Sequence, residues 1–250
     1  MSNNNFKYKK IIFDPLSKDS FKISRSKIDL FSKCPRCFYL DRRLGVSQPS
    51  MPGFSLNSAV DHLLKKEFDI HRAKETSHPL MSRYGLNLVP FNDERIDDWR
   101  NNKRGIQYLH EPTNFLVFGA IDDVWIDENK KLYIVDYKST STQEEITLDG
   151  EYKESYKRQM EVYQWLFRKN GFDVSNIGYF VYCNGKKDRE AFDGKLEFSV
   201  EIIPYQADNS WVEPMIIKIK KVLDSEEIPE QNPVCEHCNY RKLAYEKENG

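Results

Sequence analysis

Apolar side chains recur along this chain with two periods, and the alternation of the two lays out its elements. From Ser55 to about Ala73, Leu56, Ala59, Val60, Leu63, Leu64 and Phe68 return at helical spacing, which predicts a helix with one buried stripe. An earlier helical segment runs through Ile28, Leu30, Phe31, Phe38 and Leu40. It opens at Ser26 with Asp29 in its first turn, and Pro35 predicts a break or bend inside it. Phe115 to Trp125 and Lys131 to Tyr137 are instead dense in β-branched and aromatic residues, and the polar turn Asp127-Glu128-Asn129-Lys130 between them predicts a β-hairpin. Tyr156, Met160, Tyr163 and Phe167 restore the helical period from Tyr152 to Phe167, with Asn170-Gly171 as the stop signal. Strands at Ile177 to Tyr182 and Leu196 to Ile203 and a helix from about Trp211 to Leu223 follow. Residues 74–114 show no comparable period and are read as an insertion, helical around Asp93 to Asn101. Helices, strands, helix, strands, helix is the order of a mixed α/β domain.

A length of 250 residues suits an N-terminal segment, 1–22, and a single domain over 23–250 whose last stretch, 225–250, is a cysteine-bearing tail. No apolar run approaches the roughly 20 residues needed to span a bilayer, and the first residues have no signal-peptide core, so a cytoplasmic protein without a membrane partner is expected. A net charge of -1 gives no global attraction to a polyanion. Arg42-Arg43, Lys186-Lys187 and the series Lys218, Lys220, Lys221 read as solvated faces. The phosphate-binding pattern GxxxxGK[ST] is absent, which excludes a P-loop helicase motor from this chain.

Chemistry concentrates at Asp136-Tyr137-Lys138, which closes the apolar run Leu132-Tyr133-Ile134-Val135. Strand residues two apart face the same side, so Asp136 and Lys138 project together. That sets a metal-binding carboxylate beside an ammonium able to orient water or offset charge on a phosphate, an arrangement suited to phosphodiester hydrolysis. Acid-x-Lys also occurs at Glu128-Asn129-Lys130, Glu151-Tyr152-Lys153 and Asp193-Gly194-Lys195, so context distinguishes the triplet. A second acid, Asp122, sits within the partner strand, where a carboxylate costs free energy unless paired or bound to a cation. Mg²⁺ favours a few carboxylates with waters and phosphate oxygens, and the Tyr137 carbonyl is a further oxygen donor beside Asp122 and Asp136.

Five cysteines are present, and four form two CxxC pairs, Cys34/Cys37 and Cys235/Cys238, near opposite ends of the chain. Four thiolates so spaced make a closed site for zinc or an iron–sulfur cluster, structural because no coordination position stays open. Cys183, unpaired at a strand end, reads as a packed residue.

A helix bearing His62, then Gly-x-Ile-Asp ending at Asp122, then Ile-Val-Asp-Tyr-Lys, then Gln159-x-x-x-Tyr163 on a helix together resemble the RecB-like nucleases of the PD-(D/E)xK superfamily, over about residues 25–245. The resemblance implies a restriction-endonuclease-like core, a central mixed sheet flanked by helices. It implies His62, Asp122 and Asp136 as ligands of Mg²⁺ or Mn²⁺, Lys138 as the group assisting the attacking water, and Gln159 and Tyr163 as active-site lining. Positions four apart share a helix face, so Gln159 and Tyr163 can reach one site. Its branch with AddB-type repair nucleases and CRISPR-associated exonucleases implies a 4Fe-4S cluster at the cysteines. The division of two before the core and two after departs from the usual one plus three, and keeps structural Zn²⁺ as the alternative. The implied substrate is DNA, single-stranded or at duplex ends, in repair, recombination or CRISPR-associated processing, with a helicase or CRISPR adaptation partner. A competing reading is a non-catalytic nucleic-acid-binding subunit of a larger complex.

Overall fold

Two sheets organise the chain in the computed structural model, which describes residues 11–50 and 53–250. In chain order the elements are β1 (Phe21–Ser24), α1 (Arg25–Lys33), α2 (Pro35–Arg42), α3 (Ser55–Lys74), α4 (Pro79–Arg83), β2 (Val89–Pro90), α5 (Ile96–Trp99), β3 (Ile106–His110), β4 (Phe115–Gly119), β5 (Asp123–Ile126), β6 (Leu132–Thr140), α6 (Glu151–Lys169), β7 (Ile177–Gly185), β8 (Phe198–Gln206), α7 (Val212–Asp224) and α8 (Glu236–Asn249). One sheet has the order β1-β4-β3 and the other β2-β5-β6-β7-β8. Among the described residues, contacts group the chain into two units: 11–50 with Leu109–Leu116 and Glu213–Gly250, and 53–108 with Val117–Val212. The fold is mixed α/β with two sheets flanked by helices, consistent with a restriction-endonuclease-like fold. Among the described residues no helix is long and apolar enough to cross a membrane.

The second unit holds the five-stranded sheet. Strands β5 and β6 pair antiparallel, β6 and β7 parallel, and β7 and β8 antiparallel. Parallel neighbours require a crossover, and α6 supplies it between β6 and β7. Alternation along the strands sorts the two faces. Val135, Tyr137, Tyr179 and Val181 meet Leu64 and Phe68, the apolar stripe of α3, together with Trp125 in a buried cluster. On the α6 side, Met160 lies so close to Gly178 that a Cβ there would collide with it, and the absent side chain lets helix and strand approach.

The apolar run from Phe115 to Trp125 does not form one strand. It breaks at Ala120–Asp122, so β4 enters the three-stranded sheet and β5 the five-stranded one, leaving β5–β6 as the hairpin. The break has local partners: the Ile121 amide donates to the Trp99 carbonyl at 3.1 Å. Gly105, at φ +63°, comes so near the Gly119 carbonyl that a Cβ would overlap it. Asp122 therefore sits in a bend before β5 and not mid-strand.

In the first unit, the early helical segment is two helices divided at Cys34, whose extended φ of -160° precedes Pro35 at the first position of α2. The cap of α1 is Ser24, not Ser26; the two hydroxyls bond each other at 2.8 Å. The tail carries α8, which periodicity does not reveal because Tyr240, Leu243 and Tyr245 stay exposed. Residues 74–114 hold two short helices, α4 and α5, and also β2 and β3, too short to leave an alternation.

Candidate active site and cysteine cluster

Strand β6 delivers Asp136 and Lys138 to the α6 side as a same-face pair, and their side chains form an ion pair, with Asp136 fully buried. Helix α6 closes over them. Gln159 donates from Nε2 to Asp136 Oδ1 at 2.7 Å and to the Tyr163 hydroxyl at 3.2 Å, while its Oε1 accepts from Lys138 Nζ at 3.5 Å. The Lys138 ammonium also lies 4.6 Å from the centre of the Tyr156 ring. Tyr156, Gln159 and Tyr163 recur at three and four residues, so one helix face supplies all three.

Asp122 approaches the same stretch of β6 from the bend. Its Oδ2 accepts the Tyr137 amide at 2.9 Å, and its Oδ1 accepts Lys65 Nζ at 3.1 Å. Lys65 also donates to Asp61 at 2.8 Å, its neighbour one turn earlier on α3. Burial and the charge of Asp122 raise the pKa of Asp61. For Lys65, burial acts to lower the pKa, but the Asp122 and Asp61 carboxylates outweigh it and the ammonium is favoured.

Behind Asp122 lies a buried charge network. Arg100 donates from Nε to the Asp122 carbonyl at 2.9 Å, bonds both Asp69 oxygens at 2.9 Å and reaches Asp123 at 3.2 Å. Asp123, with no exposed surface, also receives Arg72 and the Tyr137 hydroxyl, the latter at 2.7 Å. Burial, followed by the Asp123 charge, pushes the Tyr137 phenol well above its usual range. The network fixes the bend from which Asp122 projects.

These groups border a cleft of about 300 Å³ lined by Asp61, Asp122, Tyr137, Lys138 and Tyr156 among others. Asp136 sits behind Lys138, outside that lining. His62 is exposed on α3, and among the described residues no hydrogen bond or ion pair ties it to the others. The candidate donors are the Asp122 and Asp136 carboxylates, each already matched with a lysine ammonium. Carboxylate oxygens are hard donors of the kind that suit a hard divalent cation such as Mg²⁺ or Mn²⁺.

Sequence reasoning missed Asp61, Lys65, Tyr156 and the Asp123 network. The first pair carries a readable signal, an acid and a lysine four apart on a helix. Tyr156 carries another, standing three before Gln159. Asp122 was expected to be the costly acid within a strand, but that position belongs to Asp123, which two arginines neutralise.

The cysteines form a separate cluster within the first unit. Cys34 caps α2 with Cys37 in its first turn, and Cys235 caps α8 with Cys238 in its first turn. Among the described residues they are the one group of three or more Cys, His or acidic side chains whose ligand atoms all lie within 4.8 Å of one another. Burial pushes the Cys34 thiol up, but backbone hydrogen bonds at Asn232 and Cys37 and the neighbouring cysteines outweigh it, leaving a pKa of about 7. Four soft sulfurs facing inward fit a metal site. Cys183 lies in the apolar core beside α3, its thiol pushed up to about 11 chiefly by burial.

A family model described as the PD-(D/E)XK nuclease superfamily matches residues 22–243 of the chain. No curated protein matches it. Among solved structures, the crystal structure of SSO0001 is similar at 16% identity and a TM-score of 0.39, covering 91% of this chain and 87% of that one.

Proposed function

The chain belongs to the PD-(D/E)XK nuclease superfamily, and from that premise we propose that it is a Mg²⁺- or Mn²⁺-dependent deoxyribonuclease, an exonuclease of the RecB-like kind. Its setting in this reading is the cytoplasm, in DNA repair, recombination or CRISPR-associated processing, with single-stranded or duplex ends as substrate and a helicase or adaptation protein as partner. The supporting observation is the contact chain Asp136–Lys138–Gln159–Tyr163 beside the Asp122 carboxylate.

In this reading Asp122, Asp136 and the Tyr137 carbonyl would hold a divalent cation, which would supply an activated water and offset charge on the phosphate. Lys138 presents its ammonium at the cleft, where it orients the attacking water and offsets the negative charge that develops on the pentacoordinate phosphorus. Three groups restrict that ammonium: the Asp136 carboxylate, the Gln159 amide oxygen and the Tyr156 ring. Gln159 fixes the carboxylate as well, so one amide sets the relative position of acid and base, and Tyr163 holds that amide. Lys65 balances Asp61 and Asp122 and keeps the opposite wall from accumulating negative charge that would repel a phosphate. His62, exposed on α3, is the further ligand that the resemblance implies. The four cysteines hold a structural metal, the 4Fe-4S cluster implied by the resemblance or a zinc ion.

The test is cleavage of end-labelled single-stranded and duplex DNA with Mg²⁺ or Mn²⁺. Asp136→Ala and Lys138→Ala are each expected to lower the rate by at least about 10²- to 10³-fold. Product lengths distinguish trimming from internal cutting. A folded wild type that binds DNA and cuts nothing overturns the reading in favour of a binding subunit.

A further inference from the structure

We propose that the four cysteines hold one tetrahedral zinc ion, in place of the iron–sulfur cluster that the family resemblance implies. The sulfur separations carry the argument. Cys34 and Cys238 Sγ stand 3.8 Å apart, Cys37 and Cys235 3.6 Å, and Cys37 and Cys238 3.5 Å. Zn–S bonds of about 2.3 Å in tetrahedral geometry set the S···S edge at about 3.8 Å. These three of the six edges equal that value or fall just inside it, and no sulfur is more than 4.8 Å from another, so one central ion reaches all four with little movement. A cuboidal cluster makes a different demand, because each thiolate binds its own iron and four irons and four sulfides occupy the space between them. Sulfurs of which none is more than 4.8 Å from another enclose no such interior.

The way each pair is held keeps the separations small. Both pairs use the same local device, one cysteine at a helix cap and the next in the first turn. Backbone amides follow each cap: Phe38 donates to the Cys34 carbonyl at 3.1 Å and Asn239 to the Cys235 carbonyl at 3.0 Å. The tail is tied back by Asn232, whose side-chain amide donates to the Lys33 carbonyl at 2.9 Å. Cys34, Cys37 and Cys238 are each at most 5% exposed. Opening the sulfurs to cluster dimensions would separate two helix starts against these bonds and expose those side chains. Charge suits either occupant, since a 4Fe-4S cluster of charge 2+ with four thiolates carries the same net charge as the zinc site. Four thiolates around Zn²⁺ leave two negative charges, and two helix N-termini face them with positive ends. Zinc itself has no redox chemistry, and with all four positions taken by thiolates the site serves the fold.

This inference does not depend on the nuclease reading, because its test measures metal and not cleavage. The full chain is produced with iron, sulfide and zinc all in supply, purified without oxygen, and analysed for metal, acid-labile sulfide and visible absorption. The expected result is one zinc per chain, no labile sulfide and a colourless protein that gains the visible bands of tetrahedral cobalt–thiolate when Co²⁺ replaces the metal. About four irons per chain with matching sulfide and a brown colour overturns the proposal. So does a folded protein with no bound metal.

Discussion

The cysteine cluster and the carboxylate cleft are two metal-suited sites in one chain, built on opposite terms. At the cluster, soft donors face one another, three of the four cysteines are buried, and every sulfur has another within 3.8 Å. At the cleft the donors are hard oxygens; Asp136 is buried behind Lys138, and Asp122 keeps about a fifth of its side-chain surface open to solvent. A closed site commits all coordination to the protein, so its binding energy becomes folding energy. An open site leaves positions for water and phosphate, and must be kept in shape by something other than the metal. Here that support is the network of Arg72, Arg100, Asp69 and Asp123, together with the Gln159 amide. On the proposed reading, the contrast separates where loss of metal would unfold the protein from where it would only silence it.

The largest effect should come from stripping the cysteine site. Apparent binding energies of structural zinc are on the order of 10 kcal/mol and are coupled to folding. Cys238→Ser, or a chelator strong enough to extract the metal, should lower the denaturant midpoint by far more than any substitution in the cleft. Asp122→Asn keeps an oxygen for the Tyr137 amide and loses one partly buried pairing of Lys65, which retains Asp61, so the loss of stability should be far smaller than at the cysteines. The same substitution should remove cleavage. Equal losses of stability from Cys238→Ser and Asp122→Asn would dissolve the distinction between the two sites.

A smaller effect probes the support behind the cleft. Arg100→Leu leaves Asp69 and the buried Asp123 short of a partner and frees the Asp122 carbonyl. Removing one member of a buried ion network costs about 3–5 kcal/mol. Urea unfolding should show that loss, and cleavage by the variant should fall even where it is fully folded, because Asp122 is no longer fixed. Undiminished cleavage by folded Arg100→Leu would mean the bend holds Asp122 without it.

Much of this was legible in the chain because the signals were local. The period of Leu64 and Phe68 marked α3, the two-residue spacing placed Asp136 beside Lys138, and the four-residue spacing placed Gln159 beside Tyr163. What stayed hidden depended on contacts distant in sequence. Arg72 and Arg100 look like surface cations until Asp123 is seen between them, 51 and 23 positions away. The strand break at Ala120–Asp122 follows from the Trp99 carbonyl and the Gly105 turn, neither of which a hydrophobic pattern records. Helix α8 escaped because its apolar residues are exposed and its buried residue is Cys238. The paired cysteine spacing pointed to a shared metal, but only the sulfur separations discriminate between one ion and a cluster.

The smallest effect concerns the unit that carries the cysteines and separates its metal from its ordinary ion pairs. Asp41 is buried, with 1% of its side chain exposed, and meets Lys27 at 2.6 Å, Arg42 at 2.9 Å and the Ser47 hydroxyl. Burial alone would raise its pKa, but the hydrogen bonds from Arg42, Lys27 and Ser47 prevail and hold it at about 2, below the ordinary 3.8. The unfolded chain therefore takes up this proton first as the pH falls. The contribution to stability is complete above about pH 4 and is lost progressively as the pH drops through about 2. At about 1.4 kcal/mol per pKa unit it amounts to roughly 2 kcal/mol at neutral pH. Asp41→Asn should show that deficit at pH 7, and the gap from wild type should narrow steadily below pH 4. Because acid also protonates the cysteine thiolates in both proteins, the difference between them isolates the carboxylate. A gap that stays constant down to pH 3 would mean that Asp41 contributes through packing, and that acid acts on this unit chiefly through its metal.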